Sequence, residues 1–261
     1  MSAARSQENQ PQRVKLSTKV ISSNGEELTV YANCKKDDYN YNIKLELENG
    51  QKLGCMRLFS HNDVQAFARE IKPRGEDYLV LDYVENYSRP DVQRYNSNPT
   101  LFAKPVTYKH VGKALDEFAF RYSFERGLDG RIETQAVRNC HLFHYLNGFR
   151  PYYGDLDRYY EDLMQDIYLS EGKYSSRNLG GLALRLPNHK IAEKAKEFGL
   201  DYKPDSEAAL LWSDHLSEKN LKKIKHYEPL VDAGHRDYRT LADKVKPLEP
   251  ESPLSPSPSS P

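Results

Sequence analysis

Residues 111–149 constrain this chain more than any other stretch. They read V-G-K-A-L-D-E-F-A-F-R-Y-S, then G-R-I-E-T-Q-A-V, then R-N-C-H-L-F-H-Y-L-N-G-F. A glycine turn opens an amphipathic helix over residues 112–126, with Leu115, Phe118, Ala119 and Tyr122 at helical spacing. Gly127 and Gly130 end that helix. Residues 131–137 follow as a strand, and residues 140–146 as a short helix closed by Asn147-Gly148.

The flanking sequence supplies the sheet. Residues 14–22 and 28–33 read as strands across a Ser23-Asn24-Gly25 turn. Residues 41–47 set Ile43, Leu45 and Leu47 on one face and run into Glu48-Asn49-Gly50, where Asn-Gly supplies the positive φ of a tight hairpin before residues 53–59 return. Asn62 or Asp63 caps a short helix over residues 64–71. Residues 78–84, Y-L-V-L-D-Y-V, form the strongest strand, apolar enough for a central position buried on both sides. A polar connection with Pro90, Pro99 and Pro105 then leads to Gly112. Downstream, residues 149–153 start a strand, 155–168 a helix, and 181–186 a strand stopped by Pro187; residues 191–198 and 205–225 are helical. The order predicts a mixed α/β (α+β) layer domain over residues 14–187, a mostly antiparallel sheet flanked by helices. A helical C-terminal extension over residues 188–245 and disordered tails over 1–13 and 246–261 complete it.

Composition narrows the function classes. Lys+Arg and Asp+Glu both number 38, so the chain has no global basic field for nucleic acid. Cys34, Cys55 and Cys140 share no metal-ligand spacing and read as reduced thiols of a cytoplasmic protein. No apolar run reaches the roughly 20 residues that span a bilayer, and residues 1–13 lack the apolar core of a secretory signal. The last fifteen residues carry six prolines and five serines and bury too little surface to offset their ordering entropy. They read as a tail, with a peptide-motif partner as the minority reading.

A helix N-terminus presents unpaired N–H groups and partial positive charge, and so collects phosphate oxygens. Gly112 lets the backbone approach closely, and Lys109 and Lys113 add charge. Here the chain resembles the GCN5-related N-acetyltransferases, which bind acetyl-CoA. Their pyrophosphate loop reads Gln or Arg, two residues, Gly, one residue, then Gly or Ala; K-H-V-G-K-A at residues 109–114 is similar, with Lys first. The family follows it with an amphipathic helix, a strand and a short helix ending like F-Y-x-x-x-G-F, which F-H-Y-L-N-G-F at residues 143–149 resembles. L-A-L-R-L-P resembles its last strand. The likeness covers roughly residues 28–187 in element order, and residues 109–149 in residues.

The resemblance implies direct acetyl transfer from acetyl-CoA to a primary amine on a small molecule or protein. It assigns the coenzyme to Lys109, Val111, Gly112, Lys113 and Ala114, with Asn139 ahead of the short helix. The amine attacks the thioester carbonyl, whose oxygen is polarised by a backbone N–H where the central strand splays from its neighbour. Glu85, at the end of the strong strand, is the first candidate to take the amine's proton, and Asp82 the second. His144 aligns with the tyrosine that protonates the departing thiolate in the family; Tyr145 is one residue on, rotated by roughly 100° about the helix. Loss of that tyrosine leaves a second reading, a non-catalytic protein or adaptor that keeps the fold for protein binding. Other clusters carry plainer readings. His141 and His144 lack a third metal ligand, K-N-L-K-K-I-K-H at residues 219–226 is a solvated basic helix face, and Trp212 docks its helix on the core. The tyrosine pairs at residues 152–153 and 159–160 read as packing.

Overall fold

The computed structural model of the protein describes residues 12–37, 39–62, 77–87, 107–136, 140–172, 182–214 and 217–245. The expected helix over residues 64–71, most of the proline-containing connection, residues 1–11 of the N-terminal tail and the tail over 246–261 lie outside the described residues; Gln12 and Arg13, expected in the tail, instead begin the first strand. Among the described residues no helix is long and apolar enough to cross a membrane, and no group of three or more His, Cys, Asp or Glu side chains is placed to hold a metal.

The fold is mixed α/β, with one large, mostly antiparallel open sheet. Strands β1 (Gln12–Ser22), β2 (Glu27–Asp37), β3 (Asn40–Leu47), β4 (Lys52–Ser60) and β5 (Leu79–Asn86) form an antiparallel run. The two-residue β6 (Tyr108–Lys109) adds to the outer edge of β1. On the other side β7 (Ile132–Ala136) joins β5 in parallel, and β9 (Leu182–Arg185) and β8 (Arg150–Pro151) complete the order β6-β1-β2-β3-β4-β5-β7-β9-β8. Period-two patterning is clean in β3, where Tyr41, Ile43, Leu45 and Leu47 are buried and the residues between them are not. Gly50, at φ +83°, makes the β3–β4 turn that the Asn-Gly pair predicts. Strand β5 is interior, as expected, but only Leu79 and Leu81 are buried; Asp82 and Tyr83 are exposed. The expected burial of both its faces is therefore corrected: the far face carries Tyr83 and Glu85.

Helix α1 (Val111–Glu125) crosses the core face of β1–β5. Ten of its fifteen residues are buried, and two of them are acidic. Glu117 is fully buried beneath an irregular stretch of β1, where the register shifts between Lys15 and Lys19. The N–H groups of Ser17 and Thr18 donate to its carboxylate at 2.9 and 2.7 Å, the Ser17 hydroxyl donates at 2.6 Å, and Arg121 pairs with it at 2.8 Å. Backbone donors that the bulge removes from the β1–β2 ladder thus find an acceptor on the helix. Burial opposes ionisation of Glu117, but these bonds outweigh it and bring the carboxyl down to about 2.

The remaining helices are α2 (His141–Leu146), α3 (Leu156–Leu169), α4 (Asn188–Phe198), α5 (Glu207–Asp214) and α6 (Glu218–Arg236), followed by a 3-10 turn (Tyr238–Leu241). Asp155 and Ser217 cap α3 and α6 by accepting from the N–H groups of Arg158 and Asn220. Where one helical run is expected over residues 205–225, the chain breaks at Ser217 and continues to Arg236. Trp212, Ile224, Val231 and Leu241 lie in the same apolar cluster as Ile43 and Leu115, so the helices after Pro187 share the core of the sheet.

Glu117 sets a stability prediction. Its folded carboxyl titrates near 2 against about 4.3 when unfolded, so its contribution is present above pH 4.5 or so and is lost as pH falls toward 2. The shift is worth on the order of 3 kcal/mol. Thermal melts of Glu117→Gln should show a lower Tm at pH 7 and a shallower fall between pH 5 and 2; an unchanged acid slope would remove Glu117 as its source.

Candidate functional site

Strands β5 and β7 pair over only three residues, Leu79 with Ile132, Val80 with Glu133 and Leu81 with Thr134. The Thr134 hydroxyl donates to the Leu81 carbonyl at 2.9 Å and closes that short ladder. Beyond it, β5 continues to Asn86 against β4, while β7 continues against β9. The two parallel strands therefore part, and residues 82–85 have no ladder partner on the β7 side among the described residues.

A bulge lies at the point of parting. Leu81 faces Leu58 and Tyr83 faces Arg57, so Asp82 is an extra residue on β5. Strict alternation from Leu79 and Leu81 would turn Tyr83 and Glu85 into the core. The extra residue reverses the alternation: Val84 pairs with buried Met56, and Tyr83 and Glu85 pass to the far face beside Arg57 and Cys55. Asp82 is ion-paired with Arg57. Glu85 receives a hydrogen bond from Tyr83, and the Cys55 thiol lies 3.9 Å from its Oε2. Partial burial and the Glu85 carboxylate push the Tyr83 hydroxyl up to about 12. Burial, then the bond to Cys55 and the nearby charges, raise that of Tyr87 as well.

The first turn of α1 meets this end of β5. A Cβ on Gly54 of β4 would stand 3.0 Å from the Val111 side chain and overlap the Glu85 carbonyl, so only glycine lets the helix seat against the strand. His110 enters the helix in the left-handed region at φ 68°, and no side chain caps the turn. Intrahelical bonding begins with the Ala114 N–H to the His110 carbonyl, so the N–H groups of residues 111–113 project from the end of the helix.

The candidate coenzyme residues separate into different tasks. Val111 and Ala114 are core side chains, Lys109 is exposed, and Lys113 pairs with Glu197 at 2.9 Å. Gly112 has a packing reason independent of any phosphate, since a Cβ there would come within 2.8 Å of Phe143 Cζ on α2. Asn139 lies outside the described residues.

The structure thus brings the backbone of Glu85, the α1 first turn and α2 together, with the Glu85 carboxylate on the opposite face of the sheet, and the two acid candidates sit in a dry setting. His144 is buried between the rings of Phe143 and Phe149, at 5.1 and 5.5 Å, with its Nδ1 unpartnered. Burial, with a lesser push from His141, lowers its pKa to about 3, so the ring is neutral at pH 7. The Tyr145 ring is also buried. Its hydroxyl lies 3.0 Å from the Asp232 carboxylate and 3.2 Å from the Glu228 carbonyl of α6, both acceptors for its one proton. Arg150 stacks over that ring at 3.9 Å and donates to Glu228 at 2.6 Å, fastening α6 to α2. Sequence reasoning missed Glu117, Arg150 and Glu228. The only available signal was an acidic pair, Asp116-Glu117, inside an otherwise apolar helix face.

Comparison with protein-family models, curated proteins and solved structures finds no match.

Two predictions follow from this packing. Gly54→Ala should cost more stability than Gly112→Ala, by about 1–3 kcal/mol in denaturant unfolding, because a backbone carbonyl cannot yield as a phenyl ring can. Equal losses at the two positions would contradict the seating of α1 described above. His144 depresses stability below its ordinary pKa, since only the unfolded state takes up its proton between about pH 6.5 and 3. Its ring resonances in a pH-dependent NMR series should not titrate above pH 5 in the folded protein.

Proposed function

We propose that the protein is an acetyl-CoA-dependent N-acetyltransferase of the GCN5-related type, acting on a primary amine. The observation that carries this reading is the parting of the parallel pair β5 and β7 beside the uncapped first turn of α1. It supports the reading because the resemblance in K-H-V-G-K-A and F-H-Y-L-N-G-F implies a strand splay beside an open helix end. The residues present fit a coenzyme pyrophosphate: the N–H groups of residues 111–113 run along the helix axis, whereas Phe143 packs on Gly112 from the side.

In this reading acetyl-CoA supplies the thioester carbonyl. The first-turn N–H groups bind the pyrophosphate, with Lys109 adding charge. An N–H on the open edge of β5 polarises the carbonyl oxygen, and Glu85 takes the proton of the attacking nitrogen. As the new C–N bond forms and the C–S bond breaks, the sulfur takes its proton from water. His144, neutral near pH 7, lacks the acidic proton of an imidazolium, and Tyr145 is engaged with α6. Those last two facts favour a second reading, a non-catalytic protein that uses the same fold for binding.

Calorimetry with acetyl-CoA separates the two readings, since heat of binding is expected only from the first. Glu85→Gln should then lower kcat roughly a hundred- to ten-thousandfold in a thiol-release assay while leaving coenzyme affinity unchanged. No heat at saturating acetyl-CoA would remove the enzyme reading.

A further inference from the structure

The far face of β2–β5 carries a trough whose geometry follows from strand register. Cys34, Ile43, Met56 and Val84 pair in one row across the four strands, with their side chains toward the core. Their backbone is the floor. On either side runs a ladder facing the other way, Lys35–Asn42–Arg57–Tyr83 and Asn33–Lys44–Cys55–Glu85. The concavity between the ladders holds about 690 Å³, with Tyr87 closing it beside Cys55. That volume suits an elongated small molecule rather than a single small ion.

Charge is unevenly distributed along the trough. At the β2–β3 end, Lys35 and Lys44 have no carboxylate within ion-pair distance among the described residues, and the Asn33 and Asn42 amides flank them. Asp37 stands at the outer rim, so two cations face one anion there. In the middle, Arg57 is neutralised by Asp82. Tyr83 and Tyr87 line the β5 end, and Glu85 stands at its rim, paired in register with Cys55 and accepting from the Tyr83 hydroxyl. Lys44 and Glu85 belong to the same ladder, two strand spacings apart, or roughly 9–10 Å.

We propose that this trough binds a linear ligand with an anionic group at one end, held by Lys35 and Lys44, and a primary amine at the other, held by Glu85. Acetylation of that amine rests on the acetyltransferase reading; binding in the trough does not. The inference therefore names the acceptor class, an amine carrying a carboxylate or phosphate at the far end of an extended chain.

The test uses the full-length protein without acetyl-CoA and four probes of one chain length: ω-aminooctanoate, octylamine, octanoate and diaminooctane. Titrations followed by backbone amide NMR should show shifts in both ladders with ω-aminooctanoate. It should bind roughly tenfold tighter than either singly charged probe, the gain from one added charge-assisted contact at an exposed site. The exposed double variant Lys35→Glu, Lys44→Glu should keep the wild-type amide spectrum elsewhere and reverse the preference to diaminooctane. Equal binding of all four probes, shifts outside the two ladders, or an unchanged preference in the variant would overturn the proposal. Binding of ω-aminooctanoate by a protein that takes no acetyl-CoA would uphold the trough and remove acetyl transfer. Acetyl transfer with no preference for anionic amines would do the reverse.

Discussion

The buried carboxylate of Glu117 is the contact on which the geometry of this protein turns. It takes the N–H groups of Ser17 and Thr18 that β1 cannot use in its ladder, and so ties the middle of α1 to the most irregular part of the sheet. A charge fully removed from water is tolerated only with such a set of donors, which makes the tie specific in position as well as strong. With α1 held there, its first turn seats against Gly54 and the Glu85 carbonyl. The open helix end and the end of β5 are thereby brought to one place.

Strand β5 then serves both of the sites proposed above. Its β7-side edge parts from its neighbour after Leu81, opening the wedge in which we propose that a thioester lies. Its far face, turned over by the bulge at Asp82, contributes Tyr83 and Glu85 to the trough. One inserted residue couples the two, because it places a carboxylate on the groove face within one residue of the open edge. Helix α2 adds the third side, and the Arg150–Glu228 and Tyr145–Asp232 contacts hold it against α6. The price of that firm seating is that His144 and Tyr145 are withdrawn from solvent.

Much of this architecture was legible in residue order. The alternation in β3, the Asn49-Gly50 turn and the stripe on α1 each report a local physical preference, and each element lies where that preference puts it; the apolar run of β5 placed that strand inside the sheet but not its far face, which is exposed at Asp82 and Tyr83. The break at Ser217 was harder, since a helix end there depends on a serine cap and not on a change of hydrophobic period. In the candidate site, Glu85 and Gly112 were legible as types at plausible positions. Their surroundings were not: Gly112 packs on Phe143, and the face on which Glu85 emerges depends on a bulge that composition does not announce. The burial of Glu117 on α1 was not legible, because charge is normally exposed and only the donors of a distant strand make its burial possible.

The sequence by itself determined the elements, their order and the mixed class of the fold, because hydrophobic period, turn residues and chain direction act over a few residues. It also carried the resemblance in residues 109–149 on which the proposed function rests. The tertiary structure decided which strands neighbour one another, where β5 leaves β7, which face Glu85 occupies, and that His144 is dry and neutral. Those properties arise from contacts between residues far apart in the chain, where pairing, register and exclusion of water are set jointly and no single segment carries the information.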